Sequence, residues 1–133
     1  MNIQELSVGD WIKSNGVAKK VHSIEYQNGE YFVLFSDPDT NNEDYMHAPF
    51  ISPISITPEI LEKNGLEVID DGNDAVIFLC CDMFWARLCV GDCFWSIGVH
   101  SEDRLDAVTC NVKYVHQLQH ALRLAGVGKE IDL

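Results

Sequence analysis

The sequence is short of positive charge, with nine Lys and Arg against 21 Asp and Glu. A formal net charge of −12 opposes nonspecific attachment to nucleic acid or to an anionic membrane surface, since both attract basic side chains. Direct nucleic-acid binding is therefore disfavoured. No apolar run approaches the roughly 18 residues of a membrane span. The start, Met1-Asn2-Ile3-Gln4-Glu5, has neither the basic nor the apolar region of a secretory signal, so a cytoplasmic protein without a membrane partner is expected. Cysteine is present but unpatterned: five residues, Cys80 next to Cys81, and no CxxC pair. An odd count without paired spacing argues against a disulfide framework and for small apolar packing residues in a reducing compartment.

What is present suits a packed interior. The hydrophobic share is 47%, including three Trp, six Phe and four Tyr, which is ordinary for a globular core. The length fits one domain, and no repeat, low-complexity segment or linker divides it. Residues 1–133 are read as a single α+β domain.

Local chemistry punctuates the chain. Leu6 to Ile12 reads as a turn feeding a strand, with Gly9-Asp10 turning and Trp11-Ile12 favouring a pleated surface. Val17 to Tyr26 follows as a strand with neither face uniformly apolar. Asn28-Gly29 then accepts the positive φ of a type I′ turn, and Glu30 to Phe35 returns. This opening resembles a small SH3-like barrel, an architecture that implies no particular function. Asp37 to Asp44 is a polar loop, and Tyr45 to Ile56, with Pro49 and Pro53, an extended edge segment. Thr57-Pro58-Glu59 starts a short helix that Asn64-Gly65 ends.

Strands are expected again at Leu66–Ile69, Ala75–Cys81, Phe84–Val90, Cys93–Val99 and Ala107–Val112. A final amphipathic helix spans Lys113 to Ala125. On a wheel, Tyr114, Val115, Leu118, Ala121, Leu122 and Ala125 share the apolar stripe, and His116, Gln119, His120 and Arg123 lie opposite. The fold class is thus α+β: a small antiparallel sheet or SH3-like partial barrel at the N-terminus, a short helix, further antiparallel strands and a C-terminal amphipathic helix.

Three stretches together, Leu6-Ser7-Val8-Gly9-Asp10-Trp11-Ile12, Pro53 to Gly65, and Lys113-Tyr114-Val115-His116-Gln117-Leu118-Gln119, resemble a family of short, uncharacterised proteins carried by gut anaerobic bacteria and their phages or prophages. The chain departs from that pattern after Gln119, where aromatic residues and a Thr-Gly-Glu ending are usual. The resemblance implies a genomic setting and no activity, cofactor or catalytic residue.

Several constellations imitate active chemistry. Asp37-Pro38-Asp39-Thr40-Asn41-Asn42 opens like a calcium loop, but Ala48 stands where the bidentate Glu belongs. His116 and His120 have metal-ligand spacing, yet Gln117 replaces the Glu of a His-Glu-x-x-His motif and no third ligand is indicated. Any of the cysteines could meet His22, His47 or His100 in space, but their neighbours are apolar. Glu102 to Asp106 beside His100 reads as a charged turn. Catalytic, cofactor and metal residues are accordingly assigned to none, and the candidate interaction surface is His116, Gln117, Gln119, His120 and Arg123.

The leading expectation is a noncatalytic accessory protein of a phage or mobile element that binds a protein partner. One alternative is an acidic DNA mimic built from the carboxylates of 37–44 and 59–74. Another is a small metal- or Cys-dependent enzyme using His116 and His120. Metal analysis of untagged protein separates the last: a stoichiometric ion would raise it and an empty site would nearly remove it.

Overall fold

The structure is a computed structural model that describes residues 2–36, 43–70, 75–80, 84–89, 94–101 and 104–133. The chain divides into two compact units, Met1–Ile54 with Leu133 and Ser55–Asp132. The fold is α+β, and among the described residues no helix is long and apolar enough to cross a membrane.

The first unit begins with a tight reversal. The amide of Asp10 donates to the Ser7 carbonyl at 3.1 Å, across Gly9 at φ 90°, a left-handed conformation in which a side chain would be strained. The buried Asp10 carboxylate accepts from the Ser7 amide at 2.8 Å and locks the turn. Gly9 then donates to the Val21 carbonyl, and Val21 donates back to the Asp10 carbonyl. This lattice aims β1 (Trp11–Ser14) along β2 (Val17–Gln27).

Two Asn-Gly pairs, Asn15-Gly16 and Asn28-Gly29, make the next reversals, all four residues with positive φ as a two-residue I′ turn demands. Only the second is singled out above, although the first carries the same signal. The strands β3 (Glu30–Ser36), β4 (Glu43–His47) and β5 (Ile51–Pro53) complete a five-stranded antiparallel sheet in the order β4-β3-β2-β1-β5. A 3-10 turn at Ala48–Phe50 swings β5 back onto β1. The first unit is thus a four-strand meander whose fifth strand returns to pair with the first.

Two expectations need correction here. Glu43 and Asp44 belong to β4, where they pair with Ser36 and Phe35, because backbone pairing outweighs their loop-favouring side chains. Tyr45 to Ile56 is not one extended segment, since Ala48-Pro49-Phe50 coils between two strands.

The mixed faces of β2 have a physical cause. Val21 pairs with Phe35, but Ser23 pairs with Leu34, so His22 is an extra residue, a β-bulge. A bulge inverts the alternation downstream of it. Val21 and Ile24 therefore both join the core of Leu6, Ile12, Val33, Phe35 and Ile51.

The second unit opens with α1 (Pro58–Lys63), capped by Thr57 Oγ1 accepting from the Ile60 amide at 3.4 Å. At its other end, Leu66 donates to the Leu61 carbonyl across Gly65 at φ 75°, a Schellman exit. A second five-stranded sheet follows: β6 (Glu67–Asp70), β7 (Ala75–Cys80), β8 (Phe84–Cys89), β9 (Trp95–Ser101) and β10 (Arg104–Val112). It is an antiparallel meander in chain order. The partner of β10, unreadable from sequence, is β9. The helix α2 (Val115–Leu124) then follows β10.

Inside this sheet Gly98 pairs with Trp85, and the indole occupies the space that a Cβ at Gly98 would need. Trp85 is buried and its Nε1 has no hydrogen-bond partner, so here packing outweighs an unmade bond. Gly98→Ala should cost about 1–3 kcal/mol through overpacking, read as a lower urea midpoint. Gly128→Ala, with no neighbour within 4 Å, should stay within about 0.5 kcal/mol of the parent.

The α1 start also yields a pH signature. Its own backbone N–H, then the Thr57 hydroxyl, hold the Glu59 carboxyl below the usual glutamate value despite slight desolvation. That support is present above the ordinary glutamate range and lost as pH falls through the depressed value. An NMR titration should place the Glu59 midpoint low, and Thr57→Val should raise it.

Candidate functional site

The surface proposed on α2 is reorganised by packing. Tyr114 is the N-cap, and the Gln117 side-chain oxygen accepts from the amides of Lys113 at 2.9 Å and Tyr114 at 3.2 Å. These donors lie just before the first helical turn, so Gln117 performs the back-reaching half of a capping box. The bridge between Ser55 and Tyr114, with Ile56 donating to the Lys113 carbonyl at 3.1 Å, anchors the same point. The other helix end closes across Gly126, with Val127 donating to the Leu122 carbonyl.

The expected polar face is corrected on two residues. His116 and Gln119 are buried together with Val115, Leu118 and Leu122, while Ala121 and Ala125 are only partly covered. The buried arc is rotated toward His116, because tertiary burial follows the position of the neighbouring layers and not the wheel's hydrophobic maximum. His120 and Gln117 are half-buried and Arg123 is exposed. Of the five proposed residues, His116 and Gln119 are thus in the interior and Gln117 is spent on the helix start.

His116 is bracketed by rings. Tyr114 stacks at 5.8 Å and an interplanar angle of 10°, His120 meets it edge-on at 6.1 Å, and the Lys113 ammonium lies 5.6 Å from the Tyr114 ring centre. The cluster is aromatic packing with a cationic cover. Among the described residues no group of three or more His, Cys, Asp or Glu could hold a metal ion.

The remaining candidates fall variously. Asp37 to Asn42 and Glu102-Asp103 lie outside the described residues, as do Cys81 and Cys93. Cys110 is exposed on β10, against the expectation of burial; it follows a register shift on the edge strand of its sheet, where bulges redirect side chains. His22 is exposed at the bulge of β2. Of the acids in 59–74, Glu59, Glu62 and Glu67 are exposed.

Asn64 has a structural task. Its amide donates to the carbonyls of Ile60 and Asp132 and its oxygen accepts from the Asp132 amide, each at 2.8 Å. The segment after α2 is thereby pinned to the end of α1, with Ile131 buried beside this clamp in sequence. No family model, curated protein or solved structure matches the chain significantly.

A different surface emerges from the first unit. The β2–β3 hairpin outruns its neighbours: β1 pairing stops at Lys20 and β4 pairing at Phe32, while among the described residues Tyr26–Tyr31 and Gln27–Glu30 have strand pairing only with each other. On this arm the Tyr26 and Tyr31 rings sit 4.8 Å apart, 64% and 38% exposed. Residue-by-residue alternation missed the pair because it followed each strand separately and did not register one against the other. The Asn28-Gly29 turn alone could have revealed it, since a two-residue turn sets Tyr26 opposite Tyr31.

Gln117→Ala should cost about 0.5–2 kcal/mol by analogy with other cap losses, whereas Gln117→Glu keeps the acceptor and should lose little. Chemical denaturation of both variants checks this.

Proposed function

We propose that this protein works by binding a protein partner, without chemistry of its own, as an accessory factor of a phage or mobile element. The observation that carries the reading is the exposed tyrosine pair on an arm that extends past the pairing of β1 and β4. Tyrosine is enriched at the energetic centres of protein interfaces, because a rigid ring covers a large area at small entropic cost. Phe50, 66% exposed in the same unit, adds apolar area. Covering a large apolar side chain is worth about 1.5–3 kcal/mol, enough for a few such contacts to sustain a transient complex. The mobile-element setting rests on the resemblance of the three stretches around Gly9, Thr57 and Gln117.

A photo-crosslinking residue at position 26, expressed in the native host, should capture one defined protein. The same residue at Glu62, an exposed position on α1, should not. Equal or featureless labelling at both positions would remove the support for this reading.

A further inference from the structure

Three Asn-Gly pairs occur in the chain, Asn15-Gly16, Asn28-Gly29 and Asn64-Gly65. The dipeptide carries its own chemistry, because glycine has no side chain to keep its main-chain nitrogen away from the preceding carboxamide. That nitrogen gives up its proton and bonds to the asparagine Cγ, while the Cγ–Nδ2 bond breaks and ammonia leaves with the proton. Water then opens the cyclic imide. Addition at Cγ yields aspartate, and addition at the main-chain carbonyl yields isoaspartate, whose backbone runs through Cβ. No electrons are exchanged, and this reactivity makes asparagine a heat-labile residue.

The fold treats the three pairs differently. Asn64 is 9% exposed, its amide donates to the carbonyls of Ile60 and Asp132, its oxygen accepts from the Asp132 amide, and Gly65 donates to the Glu62 carbonyl. The reacting groups are held apart while those bonds last. Asn15 and Asn28 are exposed, and a Cβ on Gly16 or Gly29 would meet no atom within 4 Å. Ring closure there requires the positive-φ turn to open. The two turns differ in backing: Ser14, just before Asn15, pairs with Ile51 of β5 as well as with Val17. Beside Asn28-Gly29, Gln27 and Glu30 have strand pairing only with each other among the described residues, as do Tyr26 and Tyr31. A two-stranded ribbon is marginal in stability, so this turn opens at the least cost of the three.

We propose that Asn28 is a deamidation site whose isoaspartyl product switches off the β2–β3 arm. This deepens the binding role proposed above, as regulation of the same surface, and rests on it. The two-residue turn sets Tyr26 opposite Tyr31. Isoaspartate lengthens the turn by one main-chain carbon, so the strands lose register and the rings, 4.8 Å apart, separate. The new carboxylate also lies in sequence between the exposed Glu25 and Glu30, where like charges repel. The tyrosine face is thereby available for a limited time after synthesis.

The test ages the full chain at mildly alkaline pH and cuts it after glutamate, isolating residues 6–25, 26–30 and 63–67 with one Asn-Gly pair each. Mass spectrometry of these peptides reads deamidation, and an isoaspartyl methyltransferase marks the isomer. In the folded chain Asn28 should react at least about tenfold faster than Asn64, with Asn15 between them. In concentrated urea the three rates should come within about threefold of one another, because the fold no longer separates them. A folded chain in which Asn15 or Asn64 keeps pace with Asn28 overturns the assignment. Asn28→Gly retains a Gly-Gly turn of the same type without the carboxamide. The Tyr26–Tyr31 ring contact, followed by NMR, should fade with age in the parent and persist in this variant; fading in both, or in neither, overturns the switch. If Asn28 reacts as expected but the crosslinker at position 26 captures no protein even on fresh chain, the binding role falls and the modification site stands. If Asn28 is inert and the crosslinker still captures one protein, the switch falls and the binding role stands.

Discussion

Wherever a strand or helix stops, backbone amides and carbonyls lose their partners, and burying them unpaired is costly. Three side chains meet that demand at separate reversals. The Asp10 carboxylate holds the Ser7 amide, the Asn64 amide group joins Ile60 to Asp132, and Gln117 takes the amides of Lys113 and Tyr114. Each lies in one of the three stretches on which the proposed phage-type setting rests. Those stretches therefore coincide with chain punctuation, and in this molecule they mark how the two units are turned and capped.

That constraint bears on function, because a polar side chain consumed by the backbone is poorly placed to serve a partner. Gln117 cannot leave the helix start without exposing two donors, and His116 and Gln119 are sealed in the interior. The surface proposed for recognition is elsewhere, on an arm where, among the described residues, pairing with β1 and β4 has run out and the Tyr26 and Tyr31 rings are exposed. An isolated two-stranded ribbon is marginal in stability, so the Tyr26–Tyr31 contact both steadies the arm and supplies its face.

Local signals were read well where a residue type has one conformational use. Asn28-Gly29 turned as its positive φ requires, Thr57 capped α1, and Gly65 closed it. The strands of the second sheet followed from apolar runs and turn residues. Less legible was anything dependent on register. The bulge at His22 inverts the faces of β2, and the shift between Val108 and Cys110 precedes an exposed thiol. An extra residue in one strand leaves no compositional trace, because it exists only relative to the partner strand.

By itself the sequence determined the α+β class, the Asn28-Gly29 turn, both helix positions to within a residue or two, and the acid excess. These depend on backbone preference, short-range periodicity and charge, all of which act within a few residues or are simple sums. Only the tertiary structure decided which arc of α2 is buried, that the chain forms two compact units, and that the β2–β3 arm projects past its neighbours. Burial and strand length relative to a neighbour are properties of pairs of distant segments, and a single segment does not contain them.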